Sequence, residues 1–593
     1  MFAAPRVLAS LLGLVLLACG STASGDGGGG TPGAPTAGAS GSSGGLPSTG
    51  GASSQAGSGA SSSVAGTQSG AGANGVGGSG GVGGDAGGAV SCPPFSAVSV
   101  TSSGMANLVP LPVSVQPGSG AFALTTTSGI YVEPGTPDML AIGQYLADQL
   151  KAATGHTFPV ASTSGAPCPG SLYLSATGDA SLGAEGYQLD LTAQLVQLKA
   201  PQRAGVFRGV QTLRQLLPAD FEARGMQDGP WGIAVGTIRD NPRLVWRGFM
   251  LDVARHFFGV PDVEKLIDLA AYFKLNVFHL HLSDDQGFRI VINSWPKLSS
   301  VGGSTAVGGG SGGFYSQADY SALVAYAKAR YITVVPEIDV PGHTNAALAS
   351  YAQLNCNGMA PQLRTDTTVG YSSLCVSSDM TYQFVSDVVR EIAAITPGDY
   401  IHLGGDEAKA TSLADFNTFF NKAAPSVTAA GKHLIGWDAL GQLDTLPAQT
   451  IVQYWITPDS AKHAVGLGSK ILMSPAAKAY LDMKYDTSTP LGQNWVGYIT
   501  EQTAYNWDPA KIVDGVGESN LAGVEAPLWT ETLKTLADLE YMAFPRLAGH
   551  AEIGWSAATG RNWDEYKVRL GSFGPRFKAW NVNVYKSSAV PWK

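Results

Sequence analysis

The stretch VWRGFMLDVARHFFGVPDVEKLIDLAAYFKLNVFHLHLSDD, residues 245–285, predicts a strand, a helix and a second strand. VWRGFMLDVA is a largely apolar run of strand length. VPDVEKLIDLAAYFK then places its apolar residues at helical spacing, and LNVFHLHLS returns to a strand pattern. Two apolar strands joined by a helix are typical of a parallel sheet that is covered on both faces.

The same alternation continues toward the carboxyl terminus. Further strands are predicted at YITVVPEIDV, YIHLGG, HLIGWDAL, TIVQYWI, KILMSP and GVEAPLW, with helices such as SQADYSALVAYAKAR and MTYQFVSDVVREIAAI between them. Eight strands in about 300 residues predict a closed (β/α)8 TIM barrel. An open doubly wound sheet is the alternative, but no Gly-rich phosphate loop follows the first strand, which disfavours nucleotide binding.

We place the barrel at residues 243–593 and a smaller domain before it, at residues 92–242. The β-rich runs SLYLSA and GYQLDLTAQLVQLKA and the helical stretch GVFRGVQTLRQLLP predict a small α+β fold there. This part of the sequence shows no catalytic combination of residues.

The amino terminus, MFAAPRVLASLLGLVLLACG, has one positive charge followed by an apolar run. The run is too short to span a bilayer, which needs about 20 residues, so it indicates a secretory signal. LLAC resembles the lipobox of bacterial lipoproteins, which implies a signal peptide over residues 1–19 and lipidation at Cys19. We therefore expect export and lipid anchoring to a bacterial membrane, at the outer membrane or cell surface; an ordinary signal peptide is the alternative.

Residues 20–91 consist mainly of Gly, Ser, Ala and Thr and carry almost no charge. Such a segment cannot bury enough apolar surface to offset its ordering entropy, so we predict a disordered linker. A glycosylated, mucin-like stalk is the alternative.

Charge and cysteine content restrict the possible partners. The net charge is −9 and no basic run occurs, which makes nucleic acid a poor partner. Cys356 and Cys375 lie in one loop-like segment and are predicted to pair; Cys92 with Cys168 follows only by elimination. Since no cysteine or histidine spacing matches zinc ligation, we predict neither a metal nor a cofactor.

Ionisable and aromatic residues cluster just beyond the ends of the predicted strands, the face on which barrel enzymes carry their active sites. Tryptophans there suit stacking on sugar rings, and acids beside an arginine suit bonds to vicinal hydroxyls. Two of the acids, Asp252 and Asp339, are equally consistent with bonding loop amides. His279 and His281 lie inside an apolar strand, where a hydrogen-bonded core histidine is more common than a ligand.

YIHLGGDEAKA, residues 400–410, places Asp406 and Glu407 side by side. Ordinary glycosidases hold two carboxyls across the scissile bond, whereas neighbours on a strand project to opposite faces. Another division of labour suits this pair: Glu407 protonates the leaving oxygen while Asp406 holds a 2-acetamido group. The carbonyl oxygen of that group then attacks the anomeric carbon as an internal nucleophile.

Six segments together resemble the family 20 glycoside hydrolases, the β-N-acetylhexosaminidases, over residues 107–593: RGFMLDVARHFF, HLHLSDDQGFRI, PEIDVPGHTNAAL, HLGGDEA, YLDMKY and GVEAPLWTE. The resemblance implies a retaining, exo-acting enzyme that releases terminal non-reducing GlcNAc or GalNAc from β-linked oligosaccharides through an oxazolinium intermediate.

The resemblance also implies roles for individual residues. Glu407 is the expected acid/base and Asp406 the acetamido-orienting acid. The expected substrate-binding residues are Arg255 and Glu531 on the 3-, 4- and 6-hydroxyls, Asp482 on the 6-hydroxyl, Tyr480 on the acetamido carbonyl, Trp437, Trp455 and Trp529 around its methyl group, Asp284 and His343 behind Glu407, and Trp495 on the aglycone side.

Two alternatives stay open from the sequence. A related activity of the same family removes a disaccharide, as lacto-N-biosidases do, and a surface lipoprotein could bind glycans without turnover. The adjacent acids argue against pure binding, because binding alone would not favour a repelling pair. A Gly-rich departure, residues 301–313, puts the aglycone preference in doubt. GlcNAc against GalNAc and the oligomeric state are also left open.

Overall fold

The computed structural model describes Cys92, residues 94–223 and residues 225–593. The predicted signal peptide, its lipidation site Cys19 and the predicted linker fall outside these residues. Within the part of the chain that is described, no helix is both long and apolar enough to cross a membrane.

The first described segment forms a seven-stranded mixed sheet in the order β1-β7-β5-β6-β4-β2-β3. The strand residues alternate between buried and partly exposed, as in YQLDL of β5, which faces its apolar residues to the helices. The elements are β1 Ser114–Leu124, β2 Ile130–Val132, α1 Pro137–Thr154, β3 Val160–Ser162, β4 Ser171–Ser175, β5 Tyr187–Leu191, β6 Leu195–Lys199, α2 Arg203–Leu216 and β7 Trp231–Asp240.

Residues 246–528 contain eight parallel strands, with helices between them, that close into a barrel. The predicted α/β barrel with a preceding α+β domain is therefore confirmed. Its first two strands are buried at every position, because helices cover the outside while side chains fill the inside. The barrel strands are β8 Trp246–Asp252, β9 Val277–His281, β12 Thr333–Glu337, β13 Tyr400–His402, β14 His433–Trp437, β15 Ile451–Tyr454, β16 Lys470–Met473 and β17 Leu521–Leu528.

A short hairpin and thirteen helices complete this part of the described chain. The hairpin strands are β10 Ser283–Asp284 and β11 Gly287–Phe288. The helices are α3 Val260–Tyr272, α4 Lys297–Ser300, α5 Gln317–Lys328, α6 Asn345–Ser350, α7 Asp379–Ala394, α8 Leu413–Ala429, α9 Pro458–Gly466, α10 Ala476–Ala479, α11 Glu501–Tyr505, α12 Leu536–Ala543, α13 Arg546–Trp555, α14 Trp563–Gly571 and α15 Gly574–Ala579.

Register between neighbouring strands sets the height of the polar residues in the barrel. Asp252 of β8 lies opposite His281 of β9, His281 opposite Glu337 of β12, and Glu337 opposite His402 of β13. Because the strands are parallel, these residues come together near the carboxyl end of the barrel. The barrel therefore carries a ring of ionisable side chains directly below its mouth.

Buried charges join the small domain to the barrel. Glu185 accepts from Arg208 at 2.9 Å and from Arg247 at 2.6 Å, and both guanidinium groups are fully buried. Asp240 at the end of β7 likewise lies 3.0 Å from the ammonium of Lys274 in the barrel. The Glu185–Arg247 and Asp240–Lys274 contacts cross from the small domain to the barrel, so the two domains are packed against each other.

The described part of the chain contains two disulfides. Cys356 and Cys375 close a loop at the barrel mouth, with their Cα atoms 4.8 Å apart. Cys92 and Cys168, which the sequence assigned only by elimination, are joined with a Cα–Cα distance of 5.3 Å.

Candidate active site

One pocket of about 220 Å³ opens at the carboxyl end of the barrel. Of the residues expected at the site, all but Trp437 line it. Its lining is Arg255, Asp284, Asp339, His343, Thr367, Val369, Asp406, Glu407, Trp455, Tyr480, Asp482, Gln493, Trp495, Trp529 and Glu531. Trp437 is fully buried and packs on Trp529 at 5.6 Å between ring centroids, beneath the lining rather than in it.

The two adjacent acids stand in the loop after β13 and not on a strand, which corrects the geometry assumed from the sequence. Strand β13 ends at His402, and Gly404 and Gly405 then take φ values of 63° and 96°. Glycine is needed at Gly404, where a Cβ would collide with the Asp339 carboxylate. Glu407 itself has φ of 43°, a strained value for a residue with a side chain.

Asp406 is buried, and its Oδ1 has no hydrogen-bond partner in the described structure. Burial raises the pKa of Asp406 to about 6; the nearby His343 opposes the shift, and the charges of Glu407 and Glu337 add to it. A buried carboxylate oxygen without a partner costs free energy until a donor reaches it. Asp406 is thus placed to accept an N–H or O–H from a ligand in the pocket.

Glu407 reaches the open side of the pocket, where its side chain is 25 % exposed. The ammonium of Lys409 lies 3.1 Å from its Oε1, and Nε2 of His343 lies 3.8 Å from its Oε2. This position leaves Glu407 accessible to a leaving group that points out of the barrel.

Behind Glu407, His343 is held by Asp284 through Nδ1 at 3.2 Å. Asp284 also pairs with Arg255 at 2.8 Å and with Nε2 of His281 at 3.0 Å. Burial alone would raise the pKa of Asp284, but Arg255 and His343 hold it well below its usual range. The carboxylate stays ionised and fixes the imidazole that faces Glu407.

The deep end of the pocket holds two further acids beside Arg255. Its Nη1 lies 3.9 Å from Glu531, and one oxygen each of Glu531 and Asp482 is buried without a partner in the described structure. Burial and the neighbouring Glu531 raise the pKa of Asp482 well above its usual range. A guanidinium donor beside two carboxyl groups that each have an unbonded oxygen matches the hydroxyl groups of a sugar.

Aromatic rings form the sides of the pocket. Trp455 and Tyr480 are stacked at 6.3 Å and 15°, and Tyr480 lies 6.2 Å from Trp529. Trp495 meets both Trp455 and Tyr480 edge-on at 6.0 Å and is 49 % exposed at the rim. Tyr480 and Trp529 are buried and Trp455 is partly buried, and all three line the same pocket as Asp406, so they offer apolar surface that suits a methyl group.

Two family models match this chain. The description "Glycosyl hydrolase family 20, catalytic domain" covers residues 244–558, and "Glycosyl hydrolase family 20, domain 2" covers residues 105–241. The chain belongs to glycoside hydrolase family 20.

Curated relatives and solved structures agree with this assignment. A β-N-acetylhexosaminidase of Cellulomonas fimi is 39% identical over 488 residues, 82% of this chain and 97% of that protein. The family 20 β-N-acetylhexosaminidase of Streptomyces coelicolor A3(2) superposes with a TM-score of 0.80 at 47% identity, covering 83% of this chain and 100% of the other. A mutant Streptomyces plicatus β-hexosaminidase in complex with the product GlcNAc gives 0.80 at 48%, covering 84% and 100%.

This family 20 chain is therefore a glycoside hydrolase with β-N-acetylhexosaminidase activity, acting on N-acetylhexosaminides. Sequence reasoning left four lining residues of the pocket unassigned. Asp339, noted only as a strand-end acid, accepts from the backbone of Gly405 at 2.9 Å and also faces the pocket. The others, Thr367, Val369 and Gln493, lie in loops without periodicity, which carry no signal of this kind.

Asp252, the other acid whose role the sequence left open, and the Gly-rich segment 301–313 are not part of the pocket lining. Asp252 accepts from the backbone amides of Ala254 and Arg255 at 2.8 and 3.1 Å, so it supports the loop after β8. Residues 301–313 contribute nothing to the pocket lining described above. One backbone hydrogen bond joins this segment to a lining residue: the amide of Val307 donates to the carbonyl of Arg255.

Proposed function

We propose that this enzyme is an exo-acting, retaining β-N-acetylhexosaminidase that releases terminal non-reducing GlcNAc or GalNAc by substrate-assisted catalysis. The observation that carries the proposal is the buried, unpartnered oxygen of Asp406 next to the accessible Glu407. One acid is prepared to hold a donor inside the pocket, and the other to serve a leaving group at its opening.

In the first step Glu407 gives its proton to the glycosidic oxygen while the acetamido carbonyl oxygen attacks the anomeric carbon. The bond to the leaving sugar breaks as the oxazolinium ring closes, and Asp406 accepts the N–H that has become more acidic. In the second step Glu407 takes a proton from water, the water oxygen attacks the same carbon, and the ring reopens. Two inversions give net retention.

An exo mode is supported by the polar groups of the lining and by the size of the pocket. Arg255, Asp482 and Glu531 all line the pocket, and the first two are buried, so they suit bonding to the hydroxyls of a terminal sugar. The volume of about 220 Å³ is below the roughly 300–1,000 Å³ of drug-sized ligand sites, which supports a single sugar ring.

The deciding experiment compares an aryl GlcNAc β-glycoside with the matching glucoside, which lacks the acetamido group. We expect hydrolysis of the first only, strong inhibition by a thiazoline mimic of the oxazolinium, and a product that retains the β configuration by NMR. Comparable rates on both glycosides would refute substrate assistance. Release of lacto-N-biose, or tight binding of chitobiose without turnover, would favour the two alternatives.

We also propose that the enzyme is exported and lipid-anchored through Cys19, on the support of the LLAC motif after a short apolar run. In the native host, the enzyme should fractionate with membranes and partition into detergent. Cys19→Ser should release it from the membrane fraction. Release of the unsubstituted protein in soluble form would refute the anchor.

A further inference from the structure

Directly beneath the pocket lies Glu337, a fully buried acid that the reaction above does not use. It is the last residue of β12 and stands in register with His281 on one side and His402 on the other. His402 Nδ1 lies 2.9 Å from the backbone nitrogen of Gly404 and 3.1 Å from Oε1 of Glu337.

The two oxygens of Glu337 serve different groups. Oε1 accepts from the indole nitrogen of Trp437 at 2.7 Å. Oε2 faces Nδ1 of His281 at 2.6 Å and lies 3.0 Å from Nε2 of His279. Trp437 packs on Trp529 in the pocket lining. Oε1 thus fixes the Trp437 indole that packs beneath the pocket lining, and Oε2 contacts His281 and His279.

From His281 the contacts continue to the general acid. Its Nε2 lies 3.0 Å from Asp284, Asp284 bonds His343 at 3.2 Å, and His343 lies 3.8 Å from Glu407. The Glu337 carboxylate therefore contacts Trp437, which packs beneath the pocket lining, and also begins the series of contacts that ends at Glu407.

This arrangement requires Glu337 to be ionised. Burial alone would raise its pKa, but the imidazoles of His402, His281 and His279 hold the pKa well below its usual range. His281 faces a carboxylate at each ring nitrogen; burial disfavours its charge, yet Glu337 and Asp284 raise its pKa to about 10. An imidazolium between two carboxylates cannot rotate without losing a bond, which makes the contact rigid.

We infer that Glu337 is a positioning residue that holds the Trp437 indole under the acetamido group and, through His281, the Asp284–His343 pair behind Glu407. The inference rests on the substrate-assisted mechanism proposed above. Glu337 touches neither the substrate nor the reacting atoms, so it acts only through these neighbours.

Glu337→Gln tests the inference, because an amide has one oxygen where the carboxylate has two. Either the Trp437 N–H or His281 then faces an NH2 group and must move. Displacements of about 1 Å can lower rates about 10²-fold. The loss of charge adds a second signature: the Glu337 charge contributes to the raised pKa of Asp406, so the acidic limb of the kcat/KM profile moves to lower pH.

Glu525→Gln is the matched control. Glu525 is also fully buried and bonds the same His279, at 2.8 Å, but its other bonds are to Trp246 and Gln453 rather than to Trp437 or His281. We expect Glu337→Gln to lower kcat/KM on an aryl GlcNAc β-glycoside about 10²-fold and to raise the thiazoline Ki by about 10–100-fold. Glu525→Gln should leave the Ki and the acidic limb near those of the wild type.

Trp437→Phe covers the case in which Glu337→Gln does not fold. It keeps a ring but removes the N–H, so the thiazoline Ki should rise while the acidic limb stays in place. An unchanged Ki in Trp437→Phe, or equal effects of the two Glu→Gln variants, would overturn the inference. A wild-type enzyme that ignores the thiazoline would instead refute the proposed mechanism, so the two failures are distinguishable.

Discussion

The barrel interior and the barrel mouth both hold buried carboxylates, and their surroundings differ. In the interior, Glu337 and Glu525 face imidazoles and indoles that outweigh their burial and lower their pKa values. At the mouth, Asp406 and Asp482 have oxygens without partners in the described structure, and burial raises their pKa values. Paired acids hold the architecture, whereas unpaired acids are kept for the ligand and reduce the stability of the free enzyme.

The largest effect should come from the most accessible acid of the mouth. Glu407→Gln removes the proton donor, so kcat on chitobiose should fall by about 10²–10⁴-fold. An activated phenol leaving group needs little protonation and should lose much less in the first step. Steady-state and burst kinetics on both substrates check this; an equal loss on both would contradict the assignment of Glu407 as the acid.

Asp406→Asn should separate activity from stability. We expect kcat/KM to fall about 10²-fold with good and poor leaving groups alike, because the acetamido group loses its charged acceptor in the reacting state. The melting temperature at pH 7 should rise, since burial disfavours the charge of Asp406 and the substitution removes it. Thermal scans and kinetics check both, with the exposed Asp444→Asn as a control that changes neither. A lower melting temperature would show that Asp406 is a paired, structural acid.

A paired acid should show the opposite behaviour. Glu185→Gln leaves the fully buried Arg208 and Arg247 without their carboxylate, which should lower the free energy of unfolding by on the order of 3 kcal/mol. Thiazoline binding should be unchanged in the folded variant. The matched control is Asp179→Asn, whose pair with Arg239 is about half exposed on both sides and should contribute little to stability. The urea unfolding midpoints of the two variants give the comparison. Similar shifts in both would contradict the stabilising role of the buried Glu185 carboxylate.

The raised pKa of Asp406 also predicts a pH dependence. Asp406 must be ionised to accept the acetamido N–H, so kcat/KM should fall toward tenfold per pH unit below about pH 6. The folded state binds this proton more tightly than the unfolded chain does, so the group's contribution to stability decreases as pH rises through 6. Both dependences should disappear in Asp406→Asn. An acidic limb that persists there would belong to another group.

Much of this difference between mouth and interior was readable in the sequence, but not all of it. Apolar strands alternating with helices predict the barrel, and the residues that follow each strand predict the pocket, because parallel strands must end at one edge. The motif HLGGDEA then identifies Asp406 and Glu407 as the candidate catalytic acids. Each of these signals is local to a few residues.

Pairing in the interior depends on register, which no single segment encodes. That His281 meets Glu337, and Glu337 meets Trp437, follows from how eight strands close and tilt. The backbone conformation at Gly404 could not be predicted for a similar reason, since the collision that requires glycine is with Asp339, which follows another strand. The sequence therefore identified these side chains as candidates, but their partners across the barrel are visible only in the structure.

The smallest effect should come from Trp495, which marks the outer limit of the mouth. It packs edge-on against Trp455 and Tyr480 but is 49 % exposed, so we expect it to contact the leaving sugar. Such aromatic contacts contribute about 0.5–1.5 kcal/mol. Trp495→Ala should therefore raise KM for chitobiose by up to about tenfold and leave the thiazoline Ki unchanged, while Trp495→Phe stays close to wild type. If the thiazoline Ki rose as much as KM, Trp495 would instead support the buried rings around the acetamido site, and the mouth would be as interdependent as the interior.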